Sequence, residues 1–475
     1  MEHIIKINLP GGFVSAGDLY EILVIAGNAG AKNIRFGNRQ QLFFTIAAES
    51  LEDMENEMLG ADIMFEIDTD DFPNIISSYV ADAIFNQEGW LREGVYKDIL
   101  DLFDYQPKLK INLVDNQQSF VPFFSGNFNF IASELNNYWY FYIRFPKSGK
   151  HYCCPSLIYS DDIPAIARIS ETIIYEHINV YYDPKAINEQ NFFRELFKKS
   201  KIVNTSPEQS LKLSQFYLPY YEGFNKYNNR YWLGIYRRDE LFSIDFLKDV
   251  CSLCIKNRIG QIYTTPWKSI LIKGIEPSSR PDWGLILSKY QLNVRHAANE
   301  LNWQIEDLND EGLQLKKQLV REFEEADLRT YQLCFAIKTQ AKSGLTGSII
   351  IKKDKFELWD ILHTKDFNPN SKDFVVYKTQ VNTAQIGPGL IELCAQFYNL
   401  QSLIEETSTL LHVHDSSSKT ISANKIYQCN QCFSRYDKAC GDIVNGIEKG
   451  IDFENITEYA CPVCDTPKSG FSLLN

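Results

Sequence analysis

The chain has 475 residues, 44% of them hydrophobic and 13% aromatic, too long for one core, so three or more packed domains are expected. Its formal net charge of −13, from 48 basic and 61 acidic residues, argues against general nucleic-acid binding, which needs a basic surface to displace counterions. No run approaches the ~18 apolar residues of a membrane span, the opening Met1-Glu2-His3-Ile4-Ile5-Lys6 lacks a signal-segment layout, and eleven cysteines fit a reducing cytoplasm better than a disulfide scaffold.

Residues 7–46 begin with Leu9-Pro10-Gly11-Gly12, continue into an amphipathic helix (Leu19, Ile22, Leu23, Ala26), and turn strand-like from about Lys32, through Ile34-Arg35-Phe36 to Leu42-Phe43-Phe44. Residues 231–275 repeat the plan: a strand at Tyr231–Tyr236, a helix at Ile244–Ile255, then Thr265-Pro266-Trp267-Lys268 and a strand at Ser269–Lys273. The copies lie about 228 residues apart, Ile34 against Ile262, which points to a duplication into two pseudo-symmetric halves. Between them, Phe120–Phe124, Phe128-Asn129-Phe130 and Tyr138–Arg144 are dense in aromatics. Alternation in the last run predicts a buried strand and ordinary core packing.

Leu9-Pro10-Gly11-Gly12 with Ile34-Arg35-x3-Arg39-Gln40, and Thr265-Pro266-Trp267-Lys268 as a second copy, resemble the ferredoxin-like half-domains of sulfite and nitrite reductases. The resemblance covers residues 1 to about 410. It implies an α+β multidomain body: a half-domain at 1–70, an α/β region at 71–205, a second half-domain at 215–280 and a second α/β region at 281–404. Pro107-Lys108-Leu109-Lys110-Ile111 resembles the family segment whose lysines face substrate and sirohaem. By that resemblance Arg35, Arg39, Lys108, Lys110 and Lys268 are candidates to bind sirohaem or another anion, with Arg144, Arg295 and Lys338 as possible additions and His296 or Cys334 as possible iron ligands. The alternative reading is a set of structural or surface charges, and a hydrogen-bonded His296. The family's Cys-x5-Cys and Cys-x3-Cys pairs occur nowhere in the chain, so no [4Fe–4S] cluster is expected.

Cys153, Cys154, Cys251, Cys254, Cys334 and Cys394 read as inert core thiols. Residues 405–424, with Ser416-Ser417-Ser418, read as a tether. It contains His412-x-His414, which has no specific role on this reading.

The final segment carries Cys429-x2-Cys432 and Cys461-x2-Cys464, four thiolates in two hooks, enough to wrap one tetrahedral metal ion. Spacing alone leaves zinc and iron open. The residues around the hooks (Tyr427, Tyr436, Phe453, Tyr459 before Cys461-Pro462-Val463-Cys464, and Phe471) resemble rubredoxin over about 425–475. That family implies one iron cycling between Fe(III), which leaves the four thiolates a single net negative charge, and Fe(II), which leaves a double one. Phe433-Ser434 stands where the family usually has Gly-Tyr, and Tyr459 where it usually has Trp. The leading expectation is an electron-transfer protein on a degenerate reductase-like body, taking electrons from a cytoplasmic reductase and serving a partner such as a nitrite or sulfite reductase. The rivals are a sirohaem-type oxidoreductase with the rubredoxin iron as internal donor, and a zinc-bound structural or regulatory protein.

Overall fold

The computed structural model describes residues 2–474 apart from 87–88, 201–204, 214, 341–342, 372, 414–425, 433 and 439. It divides into two compact units, Met1–Phe224 with Trp232–Ala395, and Asn225–Tyr231 with Gln396–Asn475.

The larger unit is a mixed α+β body. It opens with β1 (Glu2–Ile7), β2 (Phe13–Ser15), α1 (Ala16–Asn28), β3 (Asn33–Phe36), β4 (Leu42–Ala47), α2 (Leu51–Gly60) and β5 (Glu66–Ile67). Helix α1 forms where Leu19, Ile22, Leu23 and Ala26 recur at helical spacing; all four are buried. Ser15 starts it by accepting the Asp18 N–H at 3.0 Å. An α/β region follows: β6 (Ile76–Ser77), α3 (Glu93–Asp101), β7 (Ile111–Val114), β8 (Phe128–Ala132), β9 (Tyr138–Ile143), β10 (Tyr152–Cys153), β11 (Ile158–Tyr159), α4 (Ile163–Glu176), α5 (Ile178–Tyr181) and α6 (Glu189–Lys199). Strands β6, β7 and β8 run parallel and β9 returns antiparallel. The aromatic runs pack in this core, with Phe130 stacked on Phe141 at 4.7 Å between ring centroids.

The second half repeats the order: β12 (Gly223–Tyr227), β13 (Arg230–Ile235), β14 (Phe242–Ser243), α7 (Ile244–Lys256), β15 (Gln261–Thr264), β16 (Ile270–Ile275) and α8 (Arg280–Lys289). Then come β17 (Trp303–Ile305), α9 (Asp310–Glu325), β18 (Phe335–Lys338), β19 (Ile349–Lys353), β20 (Trp359–Thr364), β21 (Phe374–Val381) and α10 (Thr383–Val413). Strands β17 to β20 reproduce the parallel, parallel, antiparallel pattern of β6 to β9. Ser243 caps α7 as Ser15 caps α1.

The half-domains at 1–70 and 215–280 interlock in the structure. Strand order is β14-β3-β4-β1-β5 in one sheet and β12-β13-β16-β15-β2 in the other, so each half lends the short strand before its first helix, β2 or β14, to its twin. Matching backbone bonds flank the exchange, Ala16 N to Gly260 O at 3.1 Å and Ile244 N to Lys32 O at 3.0 Å. The Gly11-Gly12 turn is needed here. Gly12 has φ +77°, and a Cβ on it would lie 2.1 Å from Gln40 Nε2. Gln40 bridges the halves, donating to Thr264 O at 3.0 Å and accepting the Ser77 N–H at 2.9 Å.

The tether expected at 405–424 begins inside α10, which continues to Val413; residues 414–424, with His414, lie outside the described residues. Leu and Glu are good helix formers, and Glu405, Glu406, Leu410 and Leu411 outweigh the Ser and Thr that suggested a linker. No helix among the described residues is long and apolar enough to cross a membrane.

The smaller unit carries β22 (Ile426–Cys429), β23 (Arg435–Asp437) and β24 (Phe471–Leu474) in the antiparallel order β23-β22-β24. Its core is Tyr436, Phe453, Ile456 and Tyr459, flanked by Tyr427, Ile447 and Phe471. Phe453 is central, stacked on Tyr427 at 4.5 Å and edge-on to Tyr459 at 5.0 Å. Tyr459 ties its hydroxyl to Asp442 at 2.9 Å.

Candidate metal centre

Two loops of like design hold the four cysteines. In the first, the Cys429 N–H donates to Ser434 O at 2.8 Å; in the second, the Cys461 N–H donates to Thr466 O at 2.8 Å. Each loop thus folds its second cysteine back beside its first. Cys429 sits on β22 paired with Phe471, which ties the first loop to the aromatic core. Asp465, next to Cys464, takes φ +59°, a left-handed turn that Asp tolerates better than most residues.

The result brings Cys429, Cys432, Cys461 and Cys464 together, all four sulfurs within 4.8 Å of one another. Cys429 Sγ lies 3.6 Å from Cys464 Sγ, and Cys432 Sγ 3.4 Å from Cys461 Sγ. A tetrahedron with metal–sulfur bonds of about 2.3 Å has edges of about 3.8 Å, so these sulfurs fit one metal ion. Cys429 and Cys461 are buried, while Cys432 and Cys464 are partly exposed. Burial opposes ionisation of Cys429, but the backbone N–H groups of Cys432 and Gln431 outweigh it and bring the thiol down to about 6. Cys432 is likewise lowered: burial opposes, and Ser434 hydroxyl and N–H prevail.

Two hydroxyls that the spacing reading passed over complete the shell. Ser434 Oγ is 2.9 Å from Cys461 Sγ and 3.2 Å from Cys432 Sγ. Thr466 Oγ1 is 3.0 Å from Cys464 Sγ. Each stands two residues after the second cysteine of its hook, a symmetry visible in the sequence once the two hooks are aligned.

The basic candidates in the body have a different fate. Arg39 is buried and donates to Asn74 O at 2.7 and 3.1 Å, to Ile111 O at 2.9 Å and to Asn112 Oδ1 at 3.3 Å. Burial, relieved in part by Asp70, pulls its pKa down to about 9. Lys268 is buried against Glu240 at 2.9 Å, donates to Glu306 O at 3.1 Å and lies 3.7 Å from Asp307. Arg35 pairs with Asp310 at 3.3 Å. Lys108 donates its backbone N–H to Glu171 at 2.7 Å and holds its ammonium 5.9 Å from the Phe72 ring. Lys110 is held below its ordinary range by burial, then by Arg39. Arg144 is lowered by burial and reaches Ser125 O at 3.3 Å; burial brings Lys338 down to about 8. Arg295 reaches Phe224 O at 3.4 Å.

Arg39 and Lys268 are thus taken by the chain's own carbonyls and carboxylates, whereas Lys110 and Lys338 are buried with further cations near them, Arg144 beside both. His296 stands beside Glu222, Nδ1 to Oε1 3.2 Å. Cys334 is buried, 3.8 Å from Ser348 Oγ, and burial raises it to about 11. Cys154, Cys251, Cys254 and Cys394 are buried too, but Cys153, read above as a core thiol, is exposed, at the end of the short edge strand β10.

Tetrathiolate loops on a three-stranded sheet with an aromatic core define a small metal-binding electron carrier, here joined to a duplicated α+β body. The rubredoxin family model matches residues 426–471. The chain is 43% identical over 51 residues to Rubredoxin 4 of Rhodococcus sp. (strain Q15), covering 10% of this chain and 85% of that protein. It is 38% identical over 58 residues to Rubredoxin-2 of Rhodococcus erythropolis, covering 12% and 92%. The chain therefore belongs to the rubredoxin family through its C-terminal unit. A solved structure, the Mycobacterium tuberculosis NirA protein, superposes with a TM-score of 0.62 at 14% identity, covering 82% of this chain and 80% of that one. The body has this NirA-like fold, duplicated and α+β as the half-domain motifs implied. Rubredoxin membership implies electron transfer at iron.

Proposed function

We propose that this protein is a one-electron carrier. Cys429, Cys432, Cys461 and Cys464 would hold an iron that supplies a one-electron change, with a cytoplasmic reductase as donor, and the NirA-like body docks the redox partner that receives the electron, a nitrite or sulfite reductase being the natural candidate for a body of that fold. The observation that carries the reading is the convergence of four sulfurs in metal-ligand geometry, set against a body in which Arg39 and Lys268 are engaged by the chain's own acceptors. When bound, the metal supplies a reversible one-electron change with little rearrangement. The chain supplies the rest. Cys429 and Cys461 bury one side of the site against the aromatic core. Cys432 and Cys464 reach the surface, which shortens the path to a partner. Seven acidic against five basic residues in 425–475, with the thiolate charge added, favour a basic docking face and a fast, salt-sensitive encounter.

The test is metal analysis with absorption spectra before and after dithionite. A red protein with about one iron per chain that bleaches on reduction supports the reading. A colourless, zinc-only protein from iron-replete cells overturns the choice of iron. A haem-type band that survives loss of the iron from the four-cysteine site overturns the view of the body.

A further inference from the structure

We propose that Ser434, seconded by Thr466, tunes the reduction potential of the four-cysteine site by hydrogen bonds from side-chain hydroxyls to sulfur. The inference rests on the reading that the site holds iron.

In the free thiols either partner of each O···S contact can donate. Once the cysteines bind a metal they lose their protons, so the hydroxyl must donate and the sulfur must accept. Ser434 has one proton for two sulfurs, Cys461 at 2.9 Å and Cys432 at 3.2 Å. Its contact with Cys461 bridges the two hooks, and its contact with Cys432 stays within its own. Thr466 has a competing acceptor, Gln431 Oε1 at 3.2 Å, beside Cys464 at 3.0 Å. Its contribution is therefore the smaller. The backbone donors fix the loops and are hard to vary singly, so these two hydroxyls are the adjustable part of the shell.

Reduction adds one electron from the reductase and no proton; Ser434 keeps its own. The negative charge on the sulfurs grows, so a donor aimed at them stabilises the reduced form more than the oxidised one. Removing the donor lowers the potential. Ser434 touches no partner molecule on this account. It acts through the cysteines as a positioning residue.

The experiment measures the midpoint potential of the full-length, iron-loaded protein by optical titration, for the parent and for Ser434→Ala, Ser434→Thr and Thr466→Val. Ser434→Ala should shift the oxidised-to-reduced ratio at the parental midpoint about tenfold toward the oxidised form, or about 59 mV. Ser434→Thr, which keeps the hydroxyl, should restore most of the parental value, and Thr466→Val should fall between. The Fe–S stretching bands should shift on transfer to heavy water in the parent and shift less in Ser434→Ala. A fully iron-loaded Ser434→Ala with the parental midpoint overturns the inference. If Ser434→Ala takes up no iron, Thr466→Val decides alone: a lowered midpoint supports the inference and a parental one overturns it. A parent protein that takes up no iron overturns the underlying reading instead.

Discussion

Opposite charges meet in pairs in the body: Lys268 on Glu240 at 2.9 Å, Lys6 on Glu66 at 2.6 Å and Arg238 on Glu300 at 2.5 Å. The C-terminal unit does the reverse. It turns four groups that carry the same charge when ionised toward one point, and surrounds them with donors. Like charges gathered in a small volume are costly unless a cation joins them. A cluster of opposite charges needs nothing further. The two arrangements thus separate a site that requires an outside ion from pairs, such as Lys268 with Glu240, that the chain has closed with its own side chains.

The comparison breaks first at the cysteines. A unit of roughly 50 residues has too little core to hold itself without its staple. Cys432→Ala should abolish most metal binding and open residues 426–471 to protease, while the body melts as in the parent. Metal content, limited proteolysis and calorimetry check this; a variant that keeps its full metal complement would falsify the assignment.

Next in size is the body's pairing. Lys268→Ala leaves Glu240 buried without its cation, and should cost about 3–5 kcal/mol in urea unfolding. Addition of an anionic tetrapyrrole should not restore stability to the parent level or above it. Binding of such a ligand by the parent protein would dissolve the contrast.

The smallest effect concerns Asp115. Its carboxyl accepts the N–H groups of Gln117 and Gln118 at 2.9 and 3.1 Å, yet burial raises it to about 6. A carboxyl raised on folding holds its proton better in the folded chain. Stability is then greatest below the unfolded value and falls as pH rises from about 4 to about 6, by at most roughly 3 kcal/mol. Asp115→Asn should flatten that slope in denaturation curves at pH 4 and 7; an unchanged slope places the titration elsewhere.

The metal centre was legible because its chemistry is local. Two Cys-x2-Cys hooks need only a tight turn each, and the aromatics Tyr427, Tyr436, Phe453 and Phe471 take the core positions expected of them. The 228-residue repeat was legible too, since α1 and α7 announce themselves by helical spacing. Strand exchange was not. Phe13–Ser15 and Phe242–Ser243 are too short to show a period, and nothing in a three-residue stretch says which sheet will take it. The basic residues were identified, but not their partners. Glu240, Glu306 and Asp307 come to Lys268 only through the fold, from positions 28 to 39 residues away along the chain. Ser434 and Thr466 were in plain view, yet a ligand pattern reads sulfurs and not the hydroxyls beside them.

The strand exchange has a consequence in time. The Thr264 hydroxyl bonds to Gly12 O across a sequence separation of 252 residues. On the ribosome, at about 5–20 residues per second, the strand that the first half donates therefore waits roughly 12–50 s for its partner to be made. Through that interval the nascent N-terminal half carries an open sheet edge, the kind of surface on which chains stick to one another. Its birth is the moment of greatest exposure, and a cell that makes this protein quickly or in excess should meet its failures as aggregates of the first half.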